Sequence, residues 1–153
     1  MSPLTKDTVA WNGLLPSLAS LVGGSWRPNP QSNERGYRDS LLMFLRDNVP
    51  QDARVEREYR HHGTTTDIFL HWQGHILTDE VFIEIKLNLK SKPAYDRLIG
   101  QLESLKPAER TILVVLLGDT DPSFLGRLSE HYASRLNDSG GMRIVSVRHP
   151  TTR

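Results

Sequence analysis

The chain contains no cysteine. This excludes disulfide staples, a thiolate metal site and a cysteine nucleophile. No apolar run approaches the roughly 20 residues a membrane-spanning helix needs. The first residues, Met-Ser-Pro-Leu-Thr-Lys-Asp, lack the basic start and apolar stretch of a secretory signal. These absences lead to the expectation of a cytoplasmic protein with no membrane association. Charge of one sign is also scarce: 19 Lys and Arg stand against 18 Asp and Glu, a formal net charge of +1. A protein that coats nucleic acid is usually more basic, so any nucleic-acid role must rest on particular residues. No internal repeat, low-complexity tract, Gly-x-Ser-x-Gly elbow, phosphate-binding P-loop or dinucleotide fingerprint occurs.

The chain does offer enough length for one domain with a core of its own, at 153 residues. Apolar residues recur at helical spacing from Trp11 to Val22, with Pro16 near the start of the helix or at a kink and Gly23-Gly24 at its end. Pro28 and Pro30 mark the following loop. Asn33 is placed to cap a helix from Glu34 to about Asp47, whose apolar stripe is Tyr37, Leu41, Phe44 and Leu45. Glu34 lies near the middle of that stripe, an unusual place for an acid. Strands are predicted over Val55–His61, broken by Gly63, then Thr66–Trp72 and Val81–Leu87. A helix from Pro93 to Leu105 follows, then a continuous apolar strand Thr111–Leu117, a helix Pro122–Asn137 and a short strand Arg143–Val147. Strands alternating with helices in the second half imply an α/β fold with a mixed sheet flanked by helices.

Chemistry concentrates on the third strand. Alternation puts Val81, Ile83, Ile85 and Leu87 on one face and Phe82, Glu84 and Lys86 on the other. Charges on a strand that is otherwise apolar need partners or a metal, and a structural Glu–Lys pair explains this strand taken alone. If the second and third strands form a hairpin through the loop at Gly74, Asp67 falls opposite Glu84, in the register that joins Asp67, Glu84 and Lys86 on one face. Glu34 is placed to reach them from the preceding helix. Three carboxylates and a lysine suit hydrolytic phosphoryl transfer with Mg²⁺ or Mn²⁺, which prefer oxygen ligands.

Asp67, a gap, then Glu84-Ile85-Lys86 resembles the signature of the PD-(D/E)XK, restriction-endonuclease-like nucleases. Glu34 resembles the additional acid of the Holliday-junction-resolvase-like and RecB-like branches, and Gln101 the helix glutamine of the RecB-like branch. The resemblance covers roughly residues 34–117 and departs from the family at Thr66, where a proline is common, and at Leu105, where the RecB-like pattern has tyrosine. It implies a core of order α-β-β-β-α-β-α-β with a four- to five-stranded mixed sheet. Residues 31–150 would then form the nuclease-like domain, preceded by an N-terminal helix and linker over 1–30. It further implies that Asp67, Glu84 and the Ile85 carbonyl bind metal. Lys86 would be catalytic, Glu34 would support metal or water, and Gln101 would position substrate or metal.

Arg35, Arg38, Arg57, Arg60, Lys90, Lys92 and Arg97 flank these positions and are candidates for a rim that contacts phosphates. Taken singly, each is adequately explained as solvated surface. Lys90 and Lys92, directly after the acid-bearing strand, are the foremost candidates, with Arg97 and Arg38 beside them. His61 and His62 are adjacent on a strand, point to opposite faces and read as hairpin residues. Asp119 and Asp121 read as turn residues. The N-terminal helix is expected to cover the core, with a dimer arm or a protein-docking role as alternatives. The expected function is a Mg²⁺-dependent DNA endonuclease in restriction or defence, repair or junction resolution, plausible as a homodimer because cutting two strands needs two sites. The alternatives are a catalytically inactive nuclease-fold module that binds nucleic acid or protein, and an RNA-directed nuclease.

Overall fold

The structure is a computed structural model that describes residue 5 and residues 13–61, 64–73, 78–137 and 140–147. Trp11, His62, Gly63 and Gly74 lie outside the described residues.

Helix α1 (Leu14–Ser25) begins the described fold. Pro16 sits in its first turn, where a missing N–H leaves no helical hydrogen bond unmade. Gly23 and Gly24 do not end the helix as expected; it runs through both to Ser25. Packing explains Gly23, since a Cβ there would stand 2.9 Å from Cγ1 of Val145. Helix α2 (Glu34–Asn48) is capped as predicted, Asn33 accepting a hydrogen bond from the Gly36 N–H.

Strands β1 (Arg54–His61), β2 (Thr64–Gln73) and β3 (Thr78–Leu87) form an antiparallel meander. The chain then crosses over twice. Helix α3 (Lys92–Ser104) leads to β4 (Ile112–Leu117), and α4 (Pro122–His131) leads through a short 3₁₀ turn (Ala133–Arg135) to β5 (Met142–Val147). Both crossovers give parallel pairings, so the sheet runs β1-β2-β3-β4-β5 in mixed sense. The predicted mixed α/β architecture of five strands flanked by helices is the one observed.

Strand alternation divides the core in two. Ile68, Leu70, Ile83, Ile85, Leu113 and Val115 pack beneath α1 and α2, with Leu18, Leu21, Leu41 and Leu45. Phe69, Phe82, Ile112, Val114 and Leu116 pack on the other face, with Leu98 and Leu102 of α3 and Leu128 of α4. Every residue of β4 is buried, as a central strand covered on both faces must be.

The last helix is shorter than predicted. It ends at His131, and the chain tightens into the 3₁₀ turn around buried Tyr132, whose hydroxyl donates to Glu103 of α3 at 2.6 Å. Arg135 then reaches the Pro107 carbonyl at 3.0 Å. These tertiary bonds override the local helical pattern, which alone favoured continuation to Asn137.

The apolar residues of α1 belong to the same core cluster as the sheet. Leu18→Ala is therefore expected to destabilise the protein by about 2–5 kcal/mol, the range for truncating a fully buried leucine. Urea unfolding measures this, and a loss below about 1 kcal/mol would show that α1 is not part of the core.

Candidate active site

Strands β2 and β3 are hydrogen-bonded from Gln73↔Thr78 as far as Ile68↔Ile83, and there the ladder stops. Beyond that point β2 pairs with β1 and β3 with β4. One step past the last pair, the register sets Asp67 opposite Glu84, as the hairpin reading expected. Here side chains replace the missing ladder. Asp67 Oδ2 accepts the Ile85 N–H at 2.9 Å, and the Asp67 N–H donates to Glu84 Oε1 at 3.4 Å. Two residues on, Glu34 Oε2 accepts the Leu87 N–H at 2.9 Å. Two N–H groups that a continued strand would satisfy are satisfied by carboxylates.

This arrangement fixes where the acids can be. Glu34 is drawn to the sheet from the first turn of α2, and its Oε2 also lies 4.0 Å from Lys86 Nζ. Glu34 and Lys86 thus form one pair, and Asp67 and Glu84 another. Along β3 the two anchoring N–H groups are roughly 6–7 Å apart. No ion pair joins Lys86 to Asp67 or Glu84 among the described residues. Gln101 is exposed on α3 and makes no side-chain hydrogen bond to any member of the cluster.

Glu84 is the electrostatic centre. It is 3% exposed, on a strand whose neighbours are apolar. Burial pushes its carboxyl up to about 9, and the charge of Asp67 beside it adds to the shift. In the absence of a cation, Glu84 therefore keeps its proton at neutral pH. Thr66, also fully buried, donates its hydroxyl to the Ile83 carbonyl at 3.2 Å and holds β2 against β3 just inside the split.

Among the described residues no group of three or more His, Asp or Glu side chains is arranged to hold one ion. The expected three-carboxylate set is therefore a contacting pair, Asp67 and Glu84, with Glu34 displaced along the strand to Lys86. The donor chemistry still fits a hard divalent cation. The two acids offer oxygen ligands, and a strand residue's carbonyl points to the same side as its N–H, so the Ile85 carbonyl faces the same gap. A cation there would offset the burial and the Asp67 charge that together raise the Glu84 carboxyl.

A pocket of about 150 Å³ opens beside the split, lined by Glu34, Arg35, Arg38, Glu58 and Asp67. Two of these residues depart from the sequence reading. Arg38 is not a solvated rim residue: it is 8% exposed and bonds Glu58 Oε1 through Nη1 at 2.7 Å. Glu58 was not singled out at all, although its place on β1 puts it opposite Asp67, and that register was the available signal. Of the other candidates, Lys90 is exposed and paired with Asp119 at 2.7 Å, and Lys92 with Asp96 at 2.8 Å. Arg97 is exposed on α3.

No protein-family model and no curated protein matches the chain. Among solved structures it is similar to SfsA of Pyrococcus furiosus, solved in complex with Ca²⁺. The identity is 15%, the match covers 75% of this chain and 55% of that one, and the TM-score is 0.38. The chain thus spans about half the length of that protein. No helix of the described residues is long and apolar enough to cross a membrane.

Proposed function

We propose that the protein is a metal-dependent endonuclease that hydrolyses DNA phosphodiester bonds at the β2–β3 split. The observation that carries this reading is the pairing of buried Glu84 with Asp67 at the point where the ladder opens. A stability role does not explain it, because two acids forced together in an apolar strand pair oppose folding. Strained electrostatics of this kind concentrate at functional sites. The PD-(D/E)XK resemblance of Asp67 and Glu84-Ile85-Lys86 points the same way.

In this reading Asp67, Glu84 and the Ile85 carbonyl hold Mg²⁺ or Mn²⁺. When bound, the ion supplies polarisation of a phosphate oxygen and a more acidic water. The chain's own residues do the rest. Lys86, held by Glu34, presents hydrogen-bond donors toward the negative charge that develops on the phosphorane-like transition state. Glu34 keeps that amine near the split. Lys90, Lys92 and Arg97 contact the backbone of the DNA around it. Gln101, exposed on α3, is assigned to positioning substrate. A symmetric dimer would supply the two sites that a double-strand cut requires.

Cleavage of plasmid and branched DNA with Mg²⁺ tests the reading, with Glu84→Ala and Lys86→Ala beside the wild type. Activity lost in both variants supports it, and equal cleavage by all three proteins overturns it. Preferential cleavage of RNA in competition would move the substrate class. Tight DNA binding without cleavage under any divalent metal would make this a binding module.

A further inference from the structure

Arg38 and Glu58 have no part in the catalytic reading. The Arg38 guanidinium is buried, yet only Nη1 has a hydrogen bond, the one to Glu58. Nε and Nη2 have none among the described residues. Asp39 Oδ1 stands 3.6 Å from Nη2, too far for a bond, and takes Arg57 Nη1 at 3.3 Å instead. Nε and Nη2 are the edge with which a guanidinium grips a phosphate or carboxylate in two-pronged fashion. A buried cation with that edge unmatched is poorly served by its present partner.

The partner is itself poorly placed. Glu58 has φ of 51°, the left-handed region that a glutamate enters only against steric resistance. The β1–β2 ladder is interrupted there: pairing holds at Arg57↔Ile68 and at Tyr59↔Thr66, but not at Glu58 and Asp67 between them. The Glu58 side chain is 51% exposed and so free to swing into solvent. With Glu58 seated, the pocket lining has one more acid than base. With Glu58 withdrawn, Glu34 and Asp67 balance Arg35 and Arg38.

We propose that Arg38 is a phosphate subsite, which the Glu58 carboxylate occupies in the free protein and vacates when a phosphodiester of the nucleic-acid backbone enters the pocket. A phosphate offers more acceptor oxygens than the one Glu58 atom now engaged, and the exchange moves an acid away from the entering anion. The subsite deepens the nuclease reading, since the pocket adjoins Asp67, but its test reads binding alone.

The test is fluorescence anisotropy of the full chain with dye-labelled single-stranded and duplex DNA, in EDTA so that no metal-dependent cleavage occurs. Glu58→Gln is expected to tighten binding at least about threefold by removing the competing carboxylate, while the slope of log K against log salt stays the same, because both proteins make the same phosphate contacts once bound. Glu56→Gln removes the same charge from the same strand outside the pocket and is expected to change affinity less than about twofold. In an Arg38→Lys background, which keeps the buried charge but not the fork, the Glu58→Gln gain is expected to disappear. Equal gains from Glu58→Gln and Glu56→Gln overturn the proposal. So does a gain that persists with Lys at position 38, or a failure of both wild type and Glu58→Gln to bind DNA. A Mg²⁺ cleavage assay run in parallel separates the two readings. Wild-type cleavage without the Glu58→Gln gain removes only the subsite, and the gain without cleavage removes only the nuclease.

Discussion

Glu84→Gln is expected to slow Mg²⁺-dependent cleavage of DNA by roughly 10²–10⁴-fold, the scale on which a single positioned catalytic group acts. The substitution is nearly isosteric, so the packing of β3 against Phe69, Val114 and their neighbours survives. What changes is the charge available to a cation. Glutamine offers a neutral carbonyl oxygen where a carboxylate stood, and hard divalent ions discriminate strongly between the two. Lys86→Ala is expected to fall in the same range by a different route, removing donors from the transition state while leaving the acids in place. The two variants should therefore separate in metal titration: Lys86→Ala keeps metal binding, read by calorimetry, and Glu84→Gln loses it. A Glu84→Gln enzyme with wild-type rate and metal affinity would remove Glu84 from the site.

The second large effect is on stability, and it runs the other way. The Glu84 carboxyl is raised from an ordinary 4.5 to about 9 in the folded protein. Between those values the folded state holds a proton that the unfolded chain releases. Stability is thus fully present below about pH 4.5 and falls as pH rises toward 9, by up to about 1.4 kcal/mol per pH unit. Glutamine at this position has no proton to lose. The stability of Glu84→Gln relative to wild type is expected to rise by about 3 kcal/mol between pH 4.5 and pH 7 in metal-free buffer. For a domain of this size that corresponds to roughly 6–12 °C in melting temperature. Added Mg²⁺ should stabilise the wild type and narrow the gap, because a ligand bound only by the folded state adds its binding energy to stability. Urea unfolding at several pH values measures the difference, and parallel pH profiles for the two proteins would show that Glu84 is not titrating as a buried acid. Loss of activity with gain of stability in one substitution is the pattern of a residue kept for function.

Much of this was legible in the residue order. Alternation in 81–87 indicated the faces of β3, and the short connection from β2 left only a few registers, one of which sets Asp67 against Glu84. The Asn33 cap and the six consecutive apolar residues of β4 spoke for themselves. What was not legible depended on distant contacts. Nothing in 122–137 announces that Tyr132 will bond Glu103 and end α4 early. Arg38 reads as surface because arginines usually are; its burial follows from the path of β1, where Glu58 turns left-handed and meets it. A backbone angle of that kind has no signature in a glutamate. Gln101 matched a family pattern by spacing alone, and a surface position on α3 gives it no contact with the acids.

The split between β2 and β3 carries a further consequence. A strand that leaves its neighbour exposes N–H groups to which any passing extended peptide can add itself, and such open edges seed aggregation. On β3 the exposed donors at Ile85 and Leu87 are plugged by Asp67 and Glu34. The same carboxylates that gather at the gap therefore also close it to strand invasion, so that the sheet can stay parted without becoming sticky.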